Sequence, residues 1–221
     1  MRIPILFLLL WPLFASGQLY EDFSDGNFTE DPFWSGDTAR FKITSSSAIP
    51  PAMKPALQLD GEGSDTSFLC TGNEMIGHTE WRFWVKLSFN TSANNFARVY
   101  LVSDQPDLKG SLNGYFVQLG GANDSVSLEK QTGQDTEMLI CCETAFTGNS
   151  LNILRVKVTR DDSGLWKLYT DMEGGYDFVL QGEAVESGFT NTSFFGIFCK
   201  YTGSNATKFY FDDFYIGSIV N

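Results

Sequence analysis

The sequence predicts an all-β protein in which two antiparallel sheets pack as a sandwich. Short apolar or alternating runs recur along the chain, and residues that favour turns separate them. The 21 glycines and many asparagines supply the positive φ angles that tight turns need. No stretch keeps the i, i+3, i+4 apolar spacing of an amphipathic helix over several turns. Together these observations favour many short strands over helices.

The clearest strand covers residues 78–90. Its side chains split into two alternating faces, and a period of two is typical of a strand with one buried and one wet face. We expect the buried face to consist of Thr79, Trp81, Phe83, Val85, Leu87 and Phe89. The wet face then carries His78, Glu80, Arg82, Trp84, Lys86 and Ser88.

Alternating or apolar runs predict the other strands in chain order. They cover residues 40–44, 56–59, 67–70, 96–102, 115–119, 125–129, 137–142, 153–160, 165–170, 176–180, 193–199 and 208–216. Residues 161–164 (DDSG) lie between two of them and predict a hairpin loop. Residues 45–55 (SSSAIPPAMKP) are the most loop-like stretch, but strands lie on both sides, so we expect no domain boundary there.

The amino terminus predicts secretion. Arg2 gives a positive start, residues 3–14 are largely apolar, and residues 15–17 (ASG) have the small-residue form of a cleavage site. We therefore expect a signal peptide at 1–17 and a single domain at 18–221, located outside the cell or at its surface. The apolar stretch is too short to span a bilayer, and no later stretch is long and apolar enough, so we expect no membrane insertion.

The charge of the chain argues against two classes of partner. The formal net charge is −12 at pH 7. Binding of nucleic acid depends on neutralising phosphates with Lys and Arg, so this charge argues against nucleic acid. It argues against anionic membrane surfaces for the same reason.

Cysteines and sequons add two expectations for a secreted chain. Cys141 and Cys142 are adjacent on a predicted strand and point to opposite faces, so at most one of them readily shares a face with Cys70 or Cys199. We expect no disulfide or one. Five Asn-x-Ser/Thr sequons would carry glycans in a eukaryotic secreted protein: Asn27, Asn90, Asn123, Asn191 and Asn205.

Several segments resemble a known family. Residues 155–171 (RVKVTRDDSGLWKLYTD) resemble a hairpin of laminin G-like, concanavalin A-like jelly rolls. Nearly all of residues 20–217 resemble an amino-terminal module of large secreted Bacteroidota proteins. That resemblance is carried by DFSDGNFT at 22–29, WSGD at 34–37, LVSDQPDLKGSLNGYFVQLG at 101–120, SLEKQTG at 127–133, FGIFCKYT at 195–202 and FYFDDFYIG at 209–217. It implies a jelly-roll sandwich of the concanavalin A-like type and little about function.

The residues argue against an enzyme. Glycoside hydrolases use two neighbouring carboxylates, and on this fold one strand would supply them as Glu-x-Asp-x-Glu. No glutamate in the chain begins that triplet. His78 is the single histidine, which argues against a Ser-His-Asp or Cys-His nucleophile system.

Aromatic and polar side chains on the wet faces of central strands predict a carbohydrate site. Arg82 and Trp84 share one face, Arg98 and Tyr100 share a face in the next strand, and Gln118 follows beside Phe116 in the strand after that. If these strands are neighbours, rings and polar donors line one concave sheet and bind the C–H faces and hydroxyls of sugars. The alternative is that Trp84 and Tyr100 pack under loops.

Acidic residues at the two ends of the chain predict a structural Ca²⁺. Asp22 and Asp25 belong to the first strand-turn, and Asp212 and Asp213 belong to the last strand. The first and last strands of jelly rolls often pair, and a hard cation would relieve the repulsion between carboxylates brought together. The alternative is that one residue of the 212–213 pair faces solvent and the other caps a turn.

We therefore expect a secreted, non-catalytic binding module whose ligand is a polysaccharide or another glycan. The first alternative is a structural or adhesion module that contacts a neighbouring extracellular protein domain. The second is a degenerate glycoside hydrolase. A groove on the concave sheet would favour a sugar, and a flat apolar patch would favour a protein.

Overall fold

The computed structural model describes residues 18–220, so the predicted signal peptide at 1–17 lies outside the described residues. Fifteen strands form two antiparallel sheets in this range, which confirms the predicted all-β sandwich. The helices found between residues 18 and 220 are three-residue 3₁₀ turns at Thr38–Arg40, Pro51–Met53 and Gly203–Asn205. None of them has the length or apolar character to cross a membrane.

The strands follow one another in chain order. They are β1 (Leu19–Glu21), β2 (Ser35–Gly36), β3 (Phe41–Thr44), β4 (Ala56–Leu59), β5 (Asp65–Gly72), β6 (Thr79–Leu87), β7 (Phe96–Ser103), β8 (Leu112–Gly120), β9 (Ser125–Gly133), β10 (Asp135–Phe146), β11 (Asn152–Arg160), β12 (Leu165–Asp171), β13 (Val179–Val185), β14 (Phe194–Tyr201) and β15 (Phe209–Ser218). One sheet has eight strands in the order β13-β12-β11-β6-β15-β4-β3, with β1 also paired to β15. The other has seven strands in the order β10-β9-β8-β7-β14-β5-β2.

Most predicted strands are present, and the exceptions have local causes. The run predicted at 176–180 is found as β13 at Val179–Val185. Residues before it form a loop because the Asp171 carboxylate accepts hydrogen bonds from the backbone N–H groups of Glu173 and Asp177, each at 2.8 Å. The short strand β2 was not predicted, whereas β1 lies at the predicted first strand-turn. The hairpin loop predicted at 161–164 joins β11 to β12, with Gly164 at a φ of 83°.

The alternation along β6 sorts its side chains as predicted. Trp81, Phe83 and Val85 point into the core between the sheets, and Glu80 and Arg82 lie on the outer face. Trp81 also stacks on Trp166 of β12 at 5.5 Å between ring centroids, with 16° between the planes.

An aromatic cluster at the centre of the core joins the two sheets. Phe214 of β15 is fully buried. Its ring lies 6.4 Å from that of Phe83 in the same sheet and 5.5 Å from that of Phe195 in the opposite sheet. We call this group the Phe214 cluster; it consists of Phe23, Trp34, Phe83, Phe195, Phe211 and Phe214.

A β-bulge in β15 shifts the phase of the alternation. Its register against β6 slips between Asp212 and Tyr215, and Asp213 adopts a φ of 50°. Because a bulge adds one residue to one strand, Phe211 and Phe214 both point inward, although they are three positions apart. Asp212 and Asp213 therefore come consecutively on the outer side. β1 pairs with this part of β15, so the predicted pairing of first and last strands is confirmed.

Loops cover part of each outer face. The segment at 45–55, which includes Ile49 and Met53, packs on Trp84 outside the eight-stranded sheet. The Lys86 ammonium group holds this segment by donating a hydrogen bond to the carbonyl of Ala48. On the seven-stranded sheet, the segment at 104–111 lies over Tyr100 and Phe116 and inserts Leu108 between them and the solvent.

We expect Phe214→Ala to lower the free energy of unfolding by about 3–5 kcal/mol, because truncation of a buried aromatic ring loses its transfer energy and leaves a cavity. Tyr215→Ala is the matched control on the outer face of the same strand. It removes a cation–π contact of 4.3 Å with Arg82 and should cost about 1 kcal/mol. Urea denaturation measures both values, and equal losses would contradict this assignment of faces.

Candidate functional site

The outer face of the seven-stranded sheet brings three predicted site residues together. Arg98 of β7 is directly opposite Gln118 of β8, and Tyr100 lies two positions along β7. The strand register extends this alignment across six strands. We call the result the Arg98 row; it consists of Phe68, Phe198, Arg98, Gln118, Ser127 and Cys141.

Arg98 lies at the centre of this row, over aromatic rings. Its guanidinium carbon is 4.4 Å from the centroid of Phe116, 5.4 Å from that of Phe96 and 5.8 Å from that of Phe198. Its Nε donates a hydrogen bond to Gln118 Oε1 at 3.1 Å, and its Nη1 donates to the Tyr100 hydroxyl at 3.4 Å. Arg98 and Gln118 are both partly exposed, so they present donors and acceptors to the solvent.

A buried polar network supports Arg98 from below. The Tyr100 hydroxyl donates to Gln131 Oε1 at 2.8 Å, and Gln131 Nε2 donates to the carbonyl of Gly133 at 2.8 Å. Burial raises the pKa of Tyr100, and the Arg98 charge opposes that rise. The phenol is therefore a neutral donor that keeps Arg98 in place, because hydrogen-bonded networks of this kind fix side-chain rotamers.

The 104–111 segment closes one side of the Arg98 row. Its Leu108 packs over Gly196 of β14, where an added Cβ would lie 2.7 Å from Leu108 Cδ1. Lys109 fastens the segment through an ion pair of 2.9 Å with Asp37. Tyr100 lies next to this cover and is 1% exposed, so it has no ring face to offer a ligand.

The other side of the Arg98 row is open. Gly121 follows β8 with a φ of 109°, and an added Cβ there would lie 2.8 Å from Gln118 Nε2 and displace that side chain. The next row along the sheet carries Phe96 and Lys200. Lys200 also lines a depression of about 410 Å³ together with Ser64, Asp65, Thr66, Asn94, Tyr201 and Thr202. The open surface therefore extends from Arg98 over Phe96 into this depression.

Arg82 and Trp84, the other predicted carbohydrate residues, lie on the opposite side of the molecule. They belong to β6 in the eight-stranded sheet, so they do not join Arg98, Tyr100 and Gln118 in one platform. The expected exposure of Trp84 is also wrong. Its ring is 1% exposed because Ile49, Met53 and Tyr210 pack on it under the 45–55 segment.

The four aspartates predicted to hold Ca²⁺ are only partly assembled. The charges of Asp22 and Asp213 act on Asp212, whereas Asp25 lies in a turn and accepts hydrogen bonds from the backbone N–H and side-chain amide of Asn27 at 3.0 and 2.7 Å. Asp213 is paired at 2.8 Å with Arg155, whose side chain is 3% exposed. Within residues 18–220, no three His, Cys, Asp or Glu side chains form a group that could hold a metal. Arg155 therefore pairs with one of these carboxylates, and the Ca²⁺ site stays a prediction.

Sequence reasoning missed several residues that shape these surfaces. Phe96, Phe198 and Lys200 complete the floor and edge around Arg98, and Arg155 pairs with Asp213. The available signal was the alternation that includes Phe198 in the predicted strand at 193–199 and continues to Lys200, one residue beyond it. The four cysteines are free in the structure, and Cys141 at the end of the Arg98 row is the exposed one among them.

No protein-family model matches this chain, and no curated protein sequence matches it. Solved structures do match its fold. The carbohydrate binding module CBM66 from Bacillus subtilis has a TM-score of 0.53 at 14% identity, covering 84% of this chain and 95% of that one. The VIP36 exoplasmic/lumenal domain in its Ca²⁺- and Man3GlcNAc-bound form gives 0.60 at 12% identity, covering 94% and 90%. The Emp47p carbohydrate recognition domain gives 0.58 at 12% identity, covering 93% and 96%.

These likenesses confirm the predicted jelly-roll sandwich of the concanavalin A-like type. At such low identity they establish a shared fold and no more. The resemblance to Bacteroidota modules and the assignment of residues 18–221 to a single domain stay predictions.

We expect the protein to lose stability as the pH rises from about 5 to about 8. Burial raises the pKa of Asp212 to about 8 and that of Glu21 to about 7. A carboxyl group whose pKa is raised on folding stabilises the native state below its unfolded pKa, and this contribution is lost as the pH rises through the folded pKa. Each group can contribute up to about 1.4 kcal/mol per pH unit in that window.

The pH dependence can be assigned by mutation. Asp212→Asn should flatten the decrease of the urea midpoint between pH 5 and pH 8, since the amide cannot ionise. Asp162→Asn, in the exposed hairpin loop, is the control and should leave the decrease unchanged. A decrease of full size in Asp212→Asn would show that this carboxyl group is not its source.

Proposed function

We propose that this protein is a secreted, non-catalytic module that binds a polysaccharide on the outer face of the seven-stranded sheet. The observation that carries the proposal is the Arg98–Gln118 pair, partly exposed above the rings of Phe96, Phe116 and Phe198. Sugars present C–H faces to aromatic rings and hydroxyl groups to polar side chains. On this surface the partly exposed ring of Phe96 is the candidate for the first contact, and Arg98 and Gln118 are the candidates for the second.

Two further observations support this proposal. The fold is shared with proteins described as a carbohydrate binding module and as carbohydrate recognition domains. In the Arg98 row and the two rows beside it, Glu129 is the one carboxylate among the described residues. Glycoside hydrolysis needs a pair of carboxylates, so this face favours binding over catalysis.

We expect Arg98→Ala to weaken polysaccharide binding by about tenfold or more and Gln118→Ala by about fivefold, since a hydrogen bond to a charged group contributes about 1.5–3 kcal/mol and a neutral one about 1. Affinity electrophoresis against a panel of soluble polysaccharides gives the measurement. The control Arg82→Ala removes an arginine from the other sheet and should leave retention unchanged. Retention that survives Arg98→Ala and is lost in Arg82→Ala would move the site to the eight-stranded sheet.

Cys141 provides an independent test of location. It is exposed and ends the Arg98 row, because it is paired with Ser127 across β9 and β10. A fluorophore coupled to Cys141 should change its emission when a polysaccharide binds on this face. Unchanged emission together with undiminished binding would place the ligand elsewhere.

The second candidate function is that of an adhesion module that contacts another extracellular protein through the eight-stranded sheet. The outer face of that sheet carries a row formed by Tyr20, Tyr215, Arg82, Lys157, Tyr169 and Leu180. Tyr20 is 58% exposed, and Tyr176 beside this row is 61% exposed. Exposed tyrosine and arginine side chains are enriched at protein interfaces, which is why this face is the alternative site.

A double variant separates the two candidates. Tyr20→Ser with Tyr176→Ser removes the most exposed rings of the eight-stranded face and leaves the Arg98 row intact. Under the carbohydrate proposal it binds polysaccharide as the unmodified chain does. Loss of that binding in the double variant, with Arg98→Ala unaffected, would count against the seven-stranded face.

A further inference from the structure

We infer that the sugar bound at the Arg98 row carries a carboxylate, as a uronic acid does, and that Arg98 and Lys200 recognise it. This inference rests on the proposed function, because it names the class of ligand for the same site. Unpaired charge, free hydrogen-bond donors and an apolar floor at this site support it.

Two cations on this face lack a protein counterion. In the part of the chain that the structure describes, neither Arg98 nor Lys200 has a carboxylate oxygen within 4.0 Å, whereas seven of the other twelve arginines and lysines form ion pairs. The chain has 27 acidic residues against 15 basic ones, so acidic partners are plentiful. A partly buried cation without a counterion is costly to desolvate, and a bound anion would offset that cost.

The guanidinium group of Arg98 also has N–H groups that donate no hydrogen bond to a described residue. Of its five N–H groups, Nε–H and one at Nη1 are used, toward Gln118 and Tyr100, which leaves the other Nη1–H and both at Nη2 without acceptors among the described residues. A carboxylate can accept two parallel hydrogen bonds from the fork of an arginine. A sugar hydroxyl offers a single oxygen and no charge, so it satisfies this group less well.

The surroundings strengthen a charge interaction at this position. Phe96 lies under both cations, at 5.4 Å from the Arg98 guanidinium carbon and 5.8 Å from Lys200 Nζ. Lys200 uses one N–H on the carbonyl of Ala93 at 3.0 Å. Apolar rings lower the local dielectric, and the attraction between unit charges grows as the dielectric falls.

Two carboxylates act against this attraction and provide a test of opposite sign. Glu129 lies in the adjacent row, where it accepts a hydrogen bond from the Ser127 hydroxyl at 2.8 Å and is 8% exposed. Asp65 lines the depression beyond Lys200. Removal of the Glu129 charge should therefore favour an anionic ligand, whereas removal of the Arg98 charge should disfavour it.

The experiment compares polygalacturonate and alginate with their carboxyl-reduced, neutral forms, using the full chain in isothermal titration calorimetry. We expect at least one acidic polymer to bind about tenfold or more tightly than its reduced form, and about 1 M salt to remove most of that difference. Arg98→Gln should abolish the preference, and Glu129→Gln should increase it. Lys54→Gln, an exposed charge on the segment over the other sheet, is the matched control.

Each outcome separates the inference from the proposed function. Equal binding of acidic and reduced polymers, or a preference that survives in Arg98→Gln, overturns the inference and leaves the carbohydrate proposal standing. If the protein binds neutral polysaccharides but neither acidic polymer, the inference is likewise overturned and the carbohydrate proposal stands. If no polysaccharide binds at all, both fail. Thermal melting of each variant checks that the fold is intact.

Discussion

The Phe214 cluster is the constraint on which both surfaces of this protein depend. Its rings come from both sheets and fill the space between them, which fixes the inward side of β6, β14 and β15. The register of strand pairing carries that choice to the neighbouring strands. The side chains on the outer faces of the sheets follow from this orientation of the strands, because a slip of one residue would exchange the two faces of a strand. Arg98 lies over Phe116 only because Val99 and Val117 occupy the core at adjacent positions.

Periodicity in the sequence predicts the direction of a side chain but not what later covers it. The alternation along β6 correctly places Trp84 on the outer face, and the alternation along β7 does the same for Tyr100. Both rings are nonetheless buried, because each outer face receives a loop from elsewhere in the chain. The available signal was apolar residues inside turn-rich segments, namely Ile49 and Met53 within 45–55 and Leu108 within 104–111. Such a residue needs a surface to pack on, and the exposed aromatic rings provide one.

The acidic residues at the ends of the chain show a second limit of sequence reasoning. Pairing of the first and last strands follows from the fold and correctly brings Asp22 toward Asp212 and Asp213. The bulge at Asp213 does not follow from the sequence, since nothing in the alternation marks where one residue is inserted. The contact of Arg155 with Asp213 could not be predicted either. The two residues are 58 positions apart, and the register of two other strand pairs brings them together. Arg155 compensates the charge of Asp213 alone, while burial and the neighbouring carboxylates hold the pKa of Asp212 at about 8.

The two outer faces satisfy their cations differently, and this difference favours the seven-stranded sheet as the binding surface. On the eight-stranded sheet, Arg82 pairs with Glu80 at 2.8 Å and Arg155 pairs with Asp213. Lys157 lies between the rings of Tyr169 and Phe178, at 4.4 and 4.8 Å. Of Arg82, Arg155 and Lys157, two therefore have a carboxylate partner, and the exposed rings of this face suit contact with another apolar surface. The Arg98 guanidinium group packs on aromatic rings on one side. Its remaining N–H groups have no acceptor among the described residues, so their hydrogen-bond acceptors come from solvent or from a ligand.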